Sequence, residues 1–252
     1  LSTFAEEASL ALHEARQSGS PLLDLPERLV PATIEDAYAI QDVTLGRNGT
    51  LAGWKVSAKP GAEPRCAVFS SRDLATSPAT VDVSRMRPEV EVEVGLTLAR
   101  DLPPTDRAYG EADVLGAIGS VHLAIELISS RFVNRKAVSP LSAIADHQSC
   151  SGVFMGPAVA DWQAVDFATV DMDLAFDGTS VAQKPGGASR AEVLPWLVWL
   201  ANHAAQRNGG FRAGQVIITG ARLGPVPAPG VRSVVATSKV LGRIELTLDG
   251  GR

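Results

Sequence analysis

From Leu51 onward the chain is built of short β-branched runs broken by Gly, Pro and Asp: LAGWKVS, VEVEVGLTLA, VHLAIELIS, TVDMDLAFDG, QVIITG, VRSVVATS and GRIELTLDG. Apolar or alternating runs of this length between turn residues read as strands, so seven are expected. Only two helical patterns interrupt them. One is short, near residues 140–145; the other, AEVLPWLVWLANHAAQR, is longer and apolar, and its Pro195 either kinks it or marks its start. A doubly wound sheet needs a crossover helix after nearly every strand. The pattern therefore excludes that architecture and leaves a mainly antiparallel or mixed β core with helices packed outside.

Ahead of the strands, Thr3 and Glu6 have capping-box spacing and open a helix over residues 3–17. A second helix starts after Thr33 and fades at Asn48-Gly49. The chain thus reads as a helical amino-terminal lobe, 1–50, joined to a β-rich part, 51–252, in one structural unit. Hydrophobic residues make up 45% and charged residues 20% of the 252, which excludes disorder and fibrous folds. A net charge of −5, with no Lys/Arg run longer than two, argues against nucleic acid or an anionic membrane as partner. No apolar stretch approaches a membrane span, and LSTFAEEASL lacks the layout of a secretory signal, so a cytoplasmic protein is expected. Cys66 and Cys150 belong to no metal-spaced pair and are expected to be reduced and structural.

Three segments carry possible chemistry. In Glu89-Val90-Glu91-Val92-Glu93-Val94 the acids alternate with valines, so on a strand they share one face at a Cα spacing of about 6.5–7 Å. Like charges so placed call for bulk water or a cation. Glu126 stands almost alone among apolar neighbours in Val121–Ile128, where a buried carboxylate must be paired, protonated or metal-bound. Arg131, five residues on, is one partner; a metal shared with Glu91 and Glu93 is the other reading. Lys55 lies in the strand-like Leu51–Val56, either snorkelling from an edge or desolvated, with its pKa lowered toward catalytic use.

His13 and His203 fall on helices and read as surface residues, whereas His122 and His147 lie near the acids in sequence. No GxGxxG, GxxxxGK[ST] or GxSxG motif supports nucleotide binding or serine hydrolysis.

The order Ala37-Tyr38-Ala39-Ile40-Gln41, Gly53-Trp54-Lys55-Val56, Glu91-Val92-Glu93-Val94 with Arg100-Asp101-Leu102-Pro103, Ala124-Ile125-Glu126-Leu127-Ile128 with Ser130-Arg131, Ile144-Ala145-Asp146, and Ala213–Gly220 resembles the 2-keto-4-pentenoate hydratase and 4-oxalocrotonate decarboxylase group of the fumarylacetoacetase superfamily. The resemblance spans about residues 33–230. It implies an α+β fold: a mixed β-roll core with an α-helical amino-terminal lobe. It also implies a Mg²⁺ or Mn²⁺ ion held by Glu91, Glu93 and Glu126, with Lys55 as the active-site lysine. Ser149, Thr219 and Gly220 would lie against a small 2-oxo acid substrate, and a homo-oligomer is expected.

Two departures stand out. Where the group carries a "QPDFG"-like segment with a proton-moving Asp, this chain reads Gly61-Ala62-Glu63-Pro64-Arg65-Cys66-Ala67-Val68-Phe69, and the "DNASSG" stretch becomes Asp146-His147-Gln148-Ser149-Cys150-Ser151-Gly152. Arg65 is then a candidate for a second substrate carboxylate, and Glu63 or His147 for the missing base. The implied activity is hydration of a 2-hydroxy-dienoate in the catabolism of aromatic-derived acids. The alternatives are a metal-dependent 2-oxo-3-enedioate decarboxylase, an acylpyruvate C–C hydrolase, or a lapsed relative that only binds metal.

Overall fold

A computed structural model of the chain describes residues 3–58 and 63–250, the side chain of Thr3 excepted. Helices α1 (Thr3–Ser18) and α2 (Ile34–Asn48) come first. At α2 the Thr33 hydroxyl accepts from the Asp36 N–H at 3.1 Å while the Asp36 carboxylate accepts from the Thr33 N–H at 3.0 Å, closing a capping box. The box expected at Thr3 rests on a side chain outside the described residues. Strands β1 (Leu51–Ser57), β2 (Arg65–Ser70), β3 (Leu74–Thr76), β4 (Ala79–Asp82) and β5 (Glu89–Leu98) follow. Then come α3 (Glu111–Ala117), β6 (Ile118–Ile128), α4 (Pro140–Ala145), β7 (Cys150–Met155), β8 (Met172–Phe176), β9 (Thr179–Lys184) and α5 (Arg190–Arg207). The chain ends on β10 (Val216–Ile218), β11 (Leu223–Pro227), β12 (Ser233–Ser238) and β13 (Gly242–Asp249). Ser189 and Glu192 cap α5, so Pro195 lies inside that helix and does not start it.

All seven expected strands are present, and the described residues hold six more that the sequence pattern did not announce. They form two mixed sheets. The larger runs β2-β1-β10-β5-β6-β7-β3, with β11 also pairing with β5; the smaller runs β4-β13-β12-β8-β9. Three pairs are parallel, β1 with β10, β3 with β7 and β4 with β13.

The alternation in β5 and β6 sorts the two faces of the large sheet. Val90, Val92, Val94, Leu123, Ile125 and Leu127 pack into the main core with Val234, Ile244 and Leu246 of the small sheet and with Ala8, Leu12 and Ile40 of the first two helices. The opposite face carries a smaller cluster, including Phe69, Ala124, Val153, Met155 and Ile218, in which β2 comes close to β7. Those strands lie well apart in the order of the sheet, so the sheet curls around this face. A carboxylate on β5 or β6 is thereby turned into the hollow of a roll.

Gly53 shows how closely the strands approach. A Cβ there would collide with the Val216 carbonyl on β10 and the Phe69 ring on β2. Gly53→Ala is expected to destabilise the protein by about 1–3 kcal/mol, seen as a lower urea midpoint at unchanged slope.

Candidate active site

Antiparallel pairing sets Glu91 opposite Glu126 and Glu93 opposite Ala124, which brings the three acids to one place on the concave face. One carboxylate oxygen from each of Glu91, Glu93 and Glu126 lies within 4.8 Å of the other two. Glu93 and Glu126 are 0% exposed, and Glu91 is half-buried. Glu89, the fourth acid nearby, is instead paired with Arg135.

Lys55 enters from β1, where it pairs with Ile218 of β10, which pairs in turn with Gly95 of β5. In a flat sheet, strands three apart are separated by about 14 Å. Here Lys55 Nζ donates to Glu126 Oε1 at 2.7 Å. The curl of the sheet makes that reach possible.

Gly220, at φ +93°, turns its N–H onto Glu93 Oε2 at 2.7 Å, a conformation that suits glycine. Thr219 is fixed beside it by donating to the Val94 carbonyl at 2.9 Å. Glu93 Oε1 and Glu126 Oε2 are buried with no hydrogen-bond partner.

Three acids against one ammonium leave an excess of two negative charges when all are ionised. Burial pushes Glu91 up to about 7, with Glu126 adding to the rise and Lys55 opposing it. Burial likewise raises Glu93 well above the usual range, reinforced by Glu126 and Glu91. For Lys55 the outcome reverses the sequence expectation: burial pulls its pKa down, but Glu126 and Glu91, with Cys150 and Glu93 behind them, outweigh it and hold the pKa above normal. Lys55 is an ammonium donor here and not a neutral base.

This donor set fits a hard divalent cation. Carboxylate oxygens are the preferred ligands of Mg²⁺ and Mn²⁺, two of these are unpartnered despite burial, and two positive charges cancel the excess. Without a cation, protonation is the remaining relief, which gives a sign to the pH dependence. A folded pKa raised from 4.5 to about 7 at Glu91 stabilises fully below pH 4.5, and that contribution is lost as pH rises to about 7. Melting temperatures in chelator are expected to fall across this window, and saturating Mg²⁺ is expected to flatten the slope.

A cavity of about 740 Å³ opens over the cluster, a size suited to a small organic acid. Lys55, Glu91, Glu93, Thr219 and Gly220 line it, as do Ser149 and Arg65; Glu126 is buried behind Lys55 and does not line it. The left-handed residues His147, Gln148 and Ser149, at φ 50°, 51° and 67°, sort their side chains. Gln148 and Ser149 face the cavity, whereas His147 turns away, its Nδ1 2.8 Å from the Val68 carbonyl. Burial lowers the His147 pKa to about 3. His147 therefore does not replace the missing base.

Glu63 does line the cavity; Gly61 and Ala62 lie outside the described residues. Arg131 pairs with Asp146 and not with Glu126. His122 is spent on Thr97, Ser120 and the Gly156 carbonyl. His203 is not a free surface group: it stacks on Trp199 at 4.9 Å, and burial lowers its pKa to about 4. His13 is half-buried. Cys66 and Cys150 are free and buried. The sequence reading passed over Arg222, a buried cation of the same cavity and a lone charge in the run from Ile217 to Leu223. No helix among the described residues is long and apolar enough to cross a membrane.

The curled mixed roll with carboxylates converging at the floor of a cavity is the fold of the fumarylacetoacetase superfamily. The 4-oxalocrotonate decarboxylase from Pseudomonas putida G7, complexed with magnesium and adipate, superposes with a TM-score of 0.80 at 23% identity over 96% of this chain and 97% of that one. No family profile matches the chain. The 2-keto-4-pentenoate hydratase of Paraburkholderia xenovorans (strain LB400) is 30% identical over 237 residues, 88% of this chain and 86% of the relative. The 4-oxalocrotonate decarboxylase of Pseudomonas putida is 28% identical over 234 residues, 87% and 84% of the respective chains. The chain belongs to the 2-keto-4-pentenoate hydratase and 4-oxalocrotonate decarboxylase family.

Proposed function

We propose that the protein is a divalent-metal-dependent hydro-lyase that adds water to a 2-hydroxy-2,4-dienoate through its 2-oxo tautomer. The observation that carries this reading is the buried cluster of Glu91, Glu93 and Glu126, with Lys55 against it, at the floor of a cavity for a small acid. Family membership supplies the reaction class. Glu91, Glu93 and Glu126 hold the cation, Mg²⁺ by preference and Mn²⁺ as a substitute. A cation bound there supplies Lewis acidity toward a chelating 2-oxo acid, drawing electron density to the C2 oxygen.

The chain's own residues do the rest. Lys55, hydrogen-bonded to Glu126 at the cavity floor, donates to the C2 oxygen as negative charge gathers there. Thr219 and Gly220 shape the wall beside Glu93, and Ser149 lines the same cavity. Glu63 is the acid in the segment that lacks the group's Asp, and in this reading it moves the proton between water and the carbon skeleton. Arg65 lies at the same wall and favours an anionic substrate.

The test is turnover of 2-hydroxypenta-2,4-dienoate with Mg²⁺. Decay of the dienol absorbance with formation of a 4-hydroxy-2-oxo acid is expected. Release of CO₂ from 2-oxohex-3-enedioate without any hydration would assign the decarboxylase reaction instead. No turnover of either with Mg²⁺ or Mn²⁺ leaves the metal-binding relative.

A further inference from the structure

A second cavity, of about 200 Å³, lies between the carboxyl end of α1, the loop from β4 to β5 and the end of β6. It shares no lining residue with the active cavity. Four arginines line it, Arg16, Arg85, Arg87 and Arg131, and among the described residues one acid does, Asp82. The buried part of the lining is Arg131 with the hydroxyl residues Ser129 and Ser151, and it holds no carboxylate. Asp146, which pairs with Arg131, is not part of the lining.

Donors here outnumber the acceptors that the protein offers them. Arg87 gives its backbone N–H to the Ser129 hydroxyl at 3.1 Å, and its side chain has no hydrogen bond or ion pair among the described residues. The Ser129 hydroxyl accepts that bond and, among the described residues, gives its own proton to no acceptor. Arg85 spends Nη1 on the Gln17 carbonyl at 2.6 Å, which ties the loop to α1, and the rest of its fork is open. Arg16 spends Nη2 on Asp73 at 2.6 Å and on the Ser151 carbonyl, and likewise keeps its other donors. Asp82 is exposed, feels the charge of Arg85 and accepts from the Ser84 N–H at 2.9 Å, but forms no ion pair with any of the four arginines. With Asp73 answering Arg16, Asp146 answering Arg131 and Asp82 near Arg85, the Arg87 charge is left without an acid. An anion from solution restores the balance.

We propose that this cavity binds a phosphate group, free or carried by a small phosphomonoester. Its donors come from three elements: Arg16 from α1, Arg85 and Arg87 from the loop before β5, and Ser129 from the end of β6. Donors on several sides suit a tetrahedral oxyanion, whereas a planar carboxylate is satisfied by a single guanidinium fork. Every cation in the lining is an arginine, whose fixed array of N–H groups matches phosphate oxygens. The volume is below that of a site for a drug-sized ligand, which limits the organic part that the phosphate can carry.

The test is calorimetric titration of the metal-free protein with inorganic phosphate, at an ionic strength held constant with chloride. Saturable binding of a single phosphate is expected. Arg87→Gln is expected to weaken it by at least about tenfold, the worth of one charge-assisted hydrogen bond. Ser129→Ala removes the hydroxyl donor and is expected to weaken it by a smaller factor. Arg65→Gln, in the active cavity, is expected to leave the phosphate affinity unchanged. Thermal melts give a second readout, since bound phosphate raises the melting temperature of the unmodified protein and is expected to raise that of Arg87→Gln far less. Glycerol phosphate binding more tightly than inorganic phosphate assigns the site to a phosphomonoester, and weaker binding assigns it to the free ion; both support the proposal. Absence of saturable binding, or acetate binding as tightly as phosphate, would overturn it. So would a loss of affinity in Arg65→Gln with none in Arg87→Gln, which would place the anion in the active cavity.

Discussion

Glu126→Gln is expected to cut Mg²⁺ affinity by at least about a hundredfold and to abolish turnover at ordinary metal concentrations, since losses of this order follow even from removing groups that only support a ligand. Glu126 is the acid that ties the cluster together. It stands opposite Glu91 in the ladder, accepts from Lys55 at 2.7 Å, and keeps its second oxygen unpartnered at 0% exposure. The amide has nearly the same shape, so packing between β5, β6 and β7 is preserved while one negative charge is lost. The same change relieves Glu91 and Glu93, whose pKa values Glu126 raises, and so lowers the pH at which they ionise in the metal-free protein. Metal titration by calorimetry, beside a thermal melt in chelator, separates the two effects. An unchanged metal affinity with an altered melt would make the cluster a buried acid network and not a metal site.

The elements that were legible in the sequence are those whose own residues state both structure and place. β5 announces itself because valine alternates with glutamate, and that alternation assigns a face to each: the valines reached the core and the glutamates the hollow. β6 is apolar on both faces because it is central, and its one carboxylate was conspicuous for that reason. The strands not announced lack such a pattern. β3 and β4 are three and four residues long, β9 (TSVAQK) is largely exposed and polar, and β11 carries two prolines at the rim of the sheet. The site followed the same division. Glu91, Glu93, Glu126 and Lys55 sit at strand positions whose parity fixes their direction.

The loop residues were different. His147 and Ser149 are near neighbours in sequence, yet a left-handed turn sends one into the protein beside Val68 and the other into the cavity, and no periodicity encodes that. The sign of the Lys55 shift was also out of reach. Desolvation is visible in an apolar run, but the opposing carboxylates belong to strands 36 or more residues away and meet Lys55 only because the sheet curls.

That balance at Lys55 yields the second large effect. Lys55→Met is expected to lower kcat by about 10²–10³, the cost of removing one donor to a developing oxyanion, without lowering Mg²⁺ affinity. The two readouts part because Lys55 plays different parts in them. Toward substrate it is the charged donor at the cavity floor; toward the cation it is a competing positive charge hydrogen-bonded to Glu126. In the metal-free protein the same substitution leaves Glu126 buried with no counter-ion, a loss that costs about 3–5 kcal/mol for comparable pairs. The melt in chelator should therefore drop sharply, and Mg²⁺ should restore more of it than in the unmodified protein. Glu126→Gln and Lys55→Met thus predict opposite responses to metal from two partners in one ion pair. If Lys55→Met weakened metal binding as much as Glu126→Gln does, Lys55 would be holding the ligand in position, and the donor to the C2 oxygen would have to be sought elsewhere on the cavity wall.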